Sequence, residues 1–108
     1  MTHTVHLQPA AEGDLNDAYL NAAQHAPETA RHWVERFRES LNSLSSHPER
    51  CGFAPERKAL KVDLRQFHYG RRPNVFRAVF VIEGSQVYIL RIYRASRDRL
   101  TPADLDRK

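Results

Sequence analysis

VFRAVFVIEGSQVYILRIYR, residues 75–94, is a pair of β-branched and aromatic runs joined by Gly84 and Ser85. Such residues suit a pleated, half-buried surface, and a short turn with glycine where positive φ is needed marks a tight hairpin. The expected strands are Val75–Glu83 and Gln86–Arg94. Both faces of each run are largely apolar, so helices are expected to cover one side of the sheet and other chain to cover part of the second.

A regular hairpin closed by Gly84-Ser85 pairs Glu83 with Gln86, and therefore Val75 with Arg94 and Arg77 with Ile92. On that register Arg77 and Arg94 share a face as diagonal neighbours, with β-carbons roughly 5 to 8 Å apart. Like charges placed so are mildly destabilising, and an arginine inside an apolar strand is costly unless it reaches water or a partner. Guanidinium forks match phosphate and carboxylate oxygens, so the expectation is a cluster that handles anions. Arg97 and Arg99 follow the last strand, Arg71 and Arg72 precede its neighbour, and Lys61 lies one strand earlier. Internal pairing with Asp63, Glu83 or Asp98 is the competing reading.

Outward from the hairpin, Arg71–Asn74 is a connection containing Pro73. Leu60, Val62, Leu64, Phe67 and Tyr69 alternate with polar residues and predict a strand with a slip near Arg65, after a loop over residues 47–58 that holds Pro48, Gly52 and Pro55. Two helices precede the loop. Pro9 suits a first helical turn, and Ala11, Leu15, Ala18, Tyr19 and Ala22 form a stripe ending near His25. Pro27 and Glu28 open the second helix, whose stripe Ala30, Trp33, Val34, Phe37, Leu41 and Leu44 runs to about Ser45. Thr4–Gln8 alternates as a brief strand, and Thr101–Asp104 can open one last helical turn. The fold class is α+β: a helical hairpin packed on a small, mainly antiparallel sheet of about four strands.

A chain of 108 residues suits one domain, residues 1–108, with one core. Its single cysteine, Cys51, excludes an internal disulfide and reads as an ordinary reduced thiol. Met1–Pro9 has neither a basic nor an apolar signal segment, and the longest apolar run, Ala78–Ile82, is far too short for a bilayer. A soluble, cytoplasmic protein without a membrane partner is expected. Residues 1–50 carry 4 Lys/Arg against 7 Asp/Glu, and residues 51–108 carry 13 against 6, so the halves stand at −3 and +7. The basic half points to a polyanion or an acidic protein. The six histidines are scattered in the sequence and make no metal set. No glycine-rich phosphate loop or nucleophile triad is present, so neither metal nor cofactor is expected.

The order of a short strand, two helices, a long loop and three antiparallel strands resembles the RelE/ParE superfamily of toxins, the plasmid-stabilisation proteins of type II toxin–antitoxin systems. GRRPNVFRAVFVIEGSQVYILRIYRASRD (residues 70–98) resembles its closing hairpin, AAEGDLNDAY (10–19) its first helix and HPERCGFAPE (47–56) its loop. The resemblance implies a growth-inhibiting toxin neutralised by a cognate antitoxin. Members act by ribosome-dependent cleavage of messenger RNA, a metal-independent endoribonuclease activity, or by inhibiting DNA gyrase without nuclease chemistry. Messenger cleavage on the ribosome is the leading expectation. Arg77 matches the arginine of the RNA-cleaving branch that supports the scissile phosphate and Arg97 a second arginine after the last strand, and proton transfer would fall to Tyr93, Tyr69, His68 or a lysine such as Lys58 or Lys61. Arg71, Arg72, Arg94, Arg99 and Lys61 are the candidate contacts to target. RNA-cleaving relatives often carry tyrosine or histidine in the C-terminal segment, and residues 95–108 hold neither. Gyrase inhibition and an inactive antitoxin-binding module are the alternatives.

Overall fold

A computed structural model describes residues 2–95 and 100–105. Strand β1 (Thr4–Leu7) leads through Pro9 into helix α1 (Pro9–Ala23), and Pro27 opens helix α2 (Pro27–Asn42), each proline standing where its missing N–H costs nothing. A 3₁₀ turn at Ser43–Ser45 prolongs α2, and a second at Pro48–Arg50 follows. Between them Arg50 Nη1 donates to the carbonyls of Ser46 (2.6 Å) and His47 (3.2 Å), satisfying groups that the helix end leaves bare. A short helix α3 (Glu56–Leu60) precedes strands β2 (Arg65–Tyr69), β3 (Phe76–Glu83) and β4 (Gln86–Arg94), and a 3₁₀ turn at Pro102–Leu105 comes last.

The sheet order is β1-β4-β3-β2, antiparallel except for β1, which runs parallel to β4. The helical hairpin covers one face: Ala11 and Leu15 of α1 and Phe37 and Leu41 of α2 bury against Phe76, Ala78, Phe80, Val87, Ile89 and Ile92. Phe37 stacks on Tyr69 at 4.5 Å between centroids, and Trp33 meets Phe76 at 5.3 Å, so the aromatic residues of α2 are core, as their helical spacing implies. The opposite face has a smaller core of Ala54, Leu64, Val79, Val81, Leu90 and Leu100, supplied by the segment around α3 and by the C-terminal segment. No described helix is long and apolar enough to cross a membrane.

Two expectations need correction. The strand predicted from Leu60 begins only at Arg65, because residues 56–60, part of them assigned to a loop, form α3 instead, closed by Lys61 in the left-handed region (φ 56°). Leu60, Val62 and Leu64 all reach the second core, and a helix end followed by a turn presents them to one face as well as a strand does. The hairpin register is the second correction. Glu83 faces Gln86 around Gly84 (φ +61°), as expected, but the register shifts between Phe80 and Val79, where Leu90 is an extra residue on β4. Arg77 therefore faces Tyr93, and Arg94 faces Phe76. Regular alternation through Ile89-Leu90-Arg91-Ile92 would push Arg91 under the helices and expose Ile92. The bulge reverses this, with Ile92 buried against α1 and Arg91 left at the edge.

Phe37 is fully buried and Leu20 is half exposed. Phe37→Ala is expected to cost about 3–5 kcal/mol in urea unfolding and Leu20→Ala no more than about 0.5 kcal/mol; equal midpoints for the two variants would contradict this core.

Candidate functional site

Because of the bulge, Arg77 and Arg94 leave the sheet on opposite faces, so they are not the diagonal neighbours that a regular register predicts. Arg77 is 2% exposed. Its Nη1 donates to Glu56 Oε1 (3.0 Å) and Gln66 Oε1 (3.3 Å), and its Nη2 to Glu56 Oε2. The same Oε2 accepts the N–H of Leu100 at 3.0 Å. One buried carboxylate thus ties α3, β3 and the C-terminal segment together. Burial opposes the charge of Glu56, but the hydrogen bonds from Arg77 and Leu100 outweigh it and hold the pKa at about 2. The carboxylate that grips Arg77 is Glu56 of α3, which the sequence reading did not name, and Asp98 lies outside the described residues.

Arg91 forms a second junction. Its Nε and Nη2 grip both oxygens of Asp14 on α1 (2.7 and 2.8 Å), and its Nη1 reaches Asp104 Oδ1 in the last 3₁₀ turn at 2.8 Å. Asp14 Oδ2 also accepts the backbone N–H of Ile92 at 2.9 Å. The hydrogen bonds from Asp14, opposed by burial and aided by Asp104, raise the Arg91 pKa. For Asp104 burial works the other way, yet the Thr101 N–H and Arg91 outweigh it and lower its pKa. Tyr93 shares this neighbourhood, its hydroxyl 3.5 Å from Asp104 Oδ2 and its ring 4.8 Å from the Arg91 guanidinium. Glu56, Asp14 and Arg91 escaped the sequence reading. The signal was an arginine framed by Leu90 and Ile92, a pattern that requires either a bulge or a buried partner.

Of the cations expected to contact a target, Arg94 lies on the helical side and Arg71 and Arg72 in the β2–β3 connection. Arg94 is exposed, lies 5.1 Å over the ring of Phe76 and donates to Asn74 Oδ1 at 3.0 Å. Among the described residues no carboxylate pairs with it. Arg71 and Arg72 are exposed in the connection that carries Asn74, whose N–H bonds the Arg71 carbonyl at 2.7 Å. That connection depends on Gly70 (φ +103°), where a β-carbon would collide with the Asn74 carbonyl oxygen. Lys61 stands apart, on the turn after α3 that covers the other face. Arg97 and Arg99 lie outside the described residues.

Beside Arg94 a groove of about 810 Å³ opens between the tip of the helical hairpin and the end of the β3–β4 ribbon. Ala18, Ala22, Trp33, Phe76 and Ile92 make its apolar floor, with Arg94 and Asn74 at one side and Asp17 on α1. Asn21, Gln24, His25 and Arg91 also line it, so the wall around the apolar floor is polar and carries both signs of charge.

Residues 5–99 match the family described as ParE toxin of type II toxin–antitoxin system, parDE. The chain belongs to that family. The solved structure described as the chromosomal ParDE TA system from P. aeruginosa is similar in fold, with a TM-score of 0.69 at 24% identity over 86% of this chain and 96% of that one. No curated protein matches the sequence. In this ParE-family toxin the α+β architecture anticipated from the order of elements is present, and the family context supplies a cognate antitoxin as partner.

The Glu56–Arg77 pair sets a pH window. A carboxyl held at about 2, against an ordinary 4.5, stabilises the fold fully above pH 4.5 and progressively less as pH falls through 2. In urea melts the wild type is expected to lose about 3 kcal/mol more over that interval than a Glu56→Leu/Arg77→Met variant; parallel pH profiles would refute the linkage. Glu56→Ala alone strands a buried cation and is expected to cost about 3–5 kcal/mol, whereas the paired apolar replacement is expected to be close to neutral.

Proposed function

We propose that this ParE-family toxin arrests growth without nuclease chemistry, by holding a protein target, and that the target is DNA gyrase. The observation that supports this reading is the burial of Arg77. Cleavage by a 2′-hydroxyl needs a cation at the phosphorane and groups that move protons in and out. Both terminal nitrogens of Arg77 are already on Glu56, whose Oε2 also holds Leu100. A phosphate would have to displace a desolvated carboxylate, and breaking such a pair costs about 3–5 kcal/mol. Binding to a protein target asks for less: an accessible groove with a cation at its side, as Arg94 provides, and further exposed cations, as Arg71 and Arg72 provide in the connection that carries Asn74.

The messenger-cleaving reading draws on one geometric fact, that the Arg77 guanidinium and the Tyr93 ring are 5.9 Å apart on the same face. In that reading Arg77 and Arg97 hold the phosphate and Tyr93 moves a proton. The two readings part in a single pair of measurements. Purified protein is expected to inhibit gyrase supercoiling, and expression in cells is expected to arrest growth without new messenger ends. The Glu56→Leu/Arg77→Met variant is expected to keep both properties. New messenger ends appearing with the wild type and lost with that variant, together with an unaffected supercoiling reaction, would overturn the proposal in favour of cleavage.

A further inference from the structure

β2 is an outer strand of the sheet, and its free edge is covered only at the start. There the Gln66 N–H donates to the Gly52 carbonyl at 3.0 Å and the Ala54 N–H to the Leu64 carbonyl at 2.8 Å. Because the Gln66 N–H points outward, the His68 N–H two residues on does so too, and it meets no acceptor among the described residues. Cations surround this edge. Between residues 57 and 72 stand Arg57, Lys58, Lys61, Arg65, Arg71 and Arg72 against one carboxylate, Asp63, a net charge of +5 in a chain whose total is +4. Phe53, 42% exposed, carries the Arg57 guanidinium 3.9 Å and the Arg65 guanidinium 4.3 Å from its ring centroid. The ring therefore fixes two cations in place instead of offering an open apolar anchor. Arg57 gives Nε to Asp63 at 2.9 Å, and Arg65 gives Nη1 to the carbonyls of Glu49 (3.1 Å) and Cys51 (2.7 Å). Among the described residues, both terminal nitrogens of Arg57 and Nη2 of Arg65 have no acceptor, and Lys58 and Lys61 form no ion pair.

We propose that the free edge of β2 is a docking track for the phosphodiester backbone of duplex DNA, running from α3 at one end to Arg71 and Arg72 at the other. The inference rests on the gyrase reading for the source of the duplex: a toxin held on gyrase lies beside the DNA that gyrase supercoils. Length and chemistry select this occupant. The five residues of β2 span about 17 Å. One strand of a duplex advances about 3.4 Å per phosphate, so the edge faces on the order of five of them, and the cations are spread along it to match. Arginine forks, lysines and an outward backbone N–H are the groups that hold phosphate oxygens without reading sequence. An acidic protein fits less well, because a stable protein interface closes around a desolvated apolar centre. The large apolar side chains exposed among the described residues are Leu20, on α1, and Phe53, which the guanidinium groups already cover.

Fluorescence anisotropy of the full chain with a labelled, mixed-sequence DNA duplex over a series of salt concentrations tests the assignment, with gyrase supercoiling followed in parallel. The logarithm of the binding constant is expected to fall against log salt with a slope of about −0.9 for each phosphate engaged. Lys58→Gln/Arg71→Gln is expected to flatten that slope by about 2 and to weaken binding about tenfold or more at low salt, with its melting temperature unchanged. Arg31→Gln/Arg36→Gln, which removes the same charge from exposed positions of α2, is expected to bind like wild type. Inhibition of supercoiling without duplex binding, or with binding that both double variants weaken equally, would overturn the docking track and leave the gyrase reading standing. An RNA duplex bound more tightly than DNA, by a chain that does not inhibit supercoiling, would remove DNA as the occupant and the gyrase reading with it. Polyglutamate bound as tightly as the duplex, and lost with Lys58→Gln/Arg71→Gln, would give the edge to an acidic protein and refute the proposal.

Discussion

An arginine cannot lie beneath an apolar helical hairpin without a partner, and the course of β4 follows from that constraint. Ile89 and Leu90 go to opposite faces of the sheet, and the next residue in strict alternation, Arg91, would enter the core under α1 and α2. One extra residue at Leu90 turns Arg91 to the edge and returns Ile92 to the helices. Asp14 then receives both the Arg91 fork and the Ile92 N–H. A single carboxylate on α1 replaces the strand neighbour that β1 ceases to provide, and in doing so it anchors the helix to the sheet.

Everything downstream of the bulge changes face. Arg94 moves to the helical side, next to Phe76 and the groove, while Arg77 stays on the other side and meets Glu56. The two arginines are thereby committed to different physical tasks. Arg77 is a buried cation whose charge is met by a carboxylate and whose partner also fastens the C-terminal segment through Leu100. Arg94 is a surface cation stacked on an aromatic ring and open to a carboxylate from outside. Buried ion pairs add little net stability over apolar replacements, but they penalise any arrangement that separates them. In this chain the penalty falls on any arrangement that detaches α3 or the C-terminal segment from the sheet.

The two covers of the sheet differ in kind. On one side two long amphipathic helices supply most of the core, with Phe37, Trp33 and Tyr69 interlocked above Phe76. On the other a five-residue helix, a turn and a terminal segment supply a smaller core, held at its margins by the Glu56 and Arg91 junctions. Polar attachment compensates there for the limited apolar area, and the groove forms where the helical cover stops short of the ribbon's end.

The periodic features of the fold were legible in the residues themselves. The stripes of α1 and α2, their proline starts, the Gly84-Ser85 turn and the apolar character of both ribbon faces are local properties, set by side-chain period and backbone preference. The family resemblance followed from the order of those elements. The facing of Arg77 and Arg94, the helical state of residues 56–60 and the identity of the carboxylates that claim Arg77 and Arg91 were decided only in three dimensions. Period-two alternation carries no mark of a one-residue bulge, and Leu60, Val62 and Leu64 read as a strand although a helix end and a turn bury them equally well. Asp14 and Arg91 are 77 positions apart. No local preference links residues so distant, and only packing α1 across β4 brings their charges together.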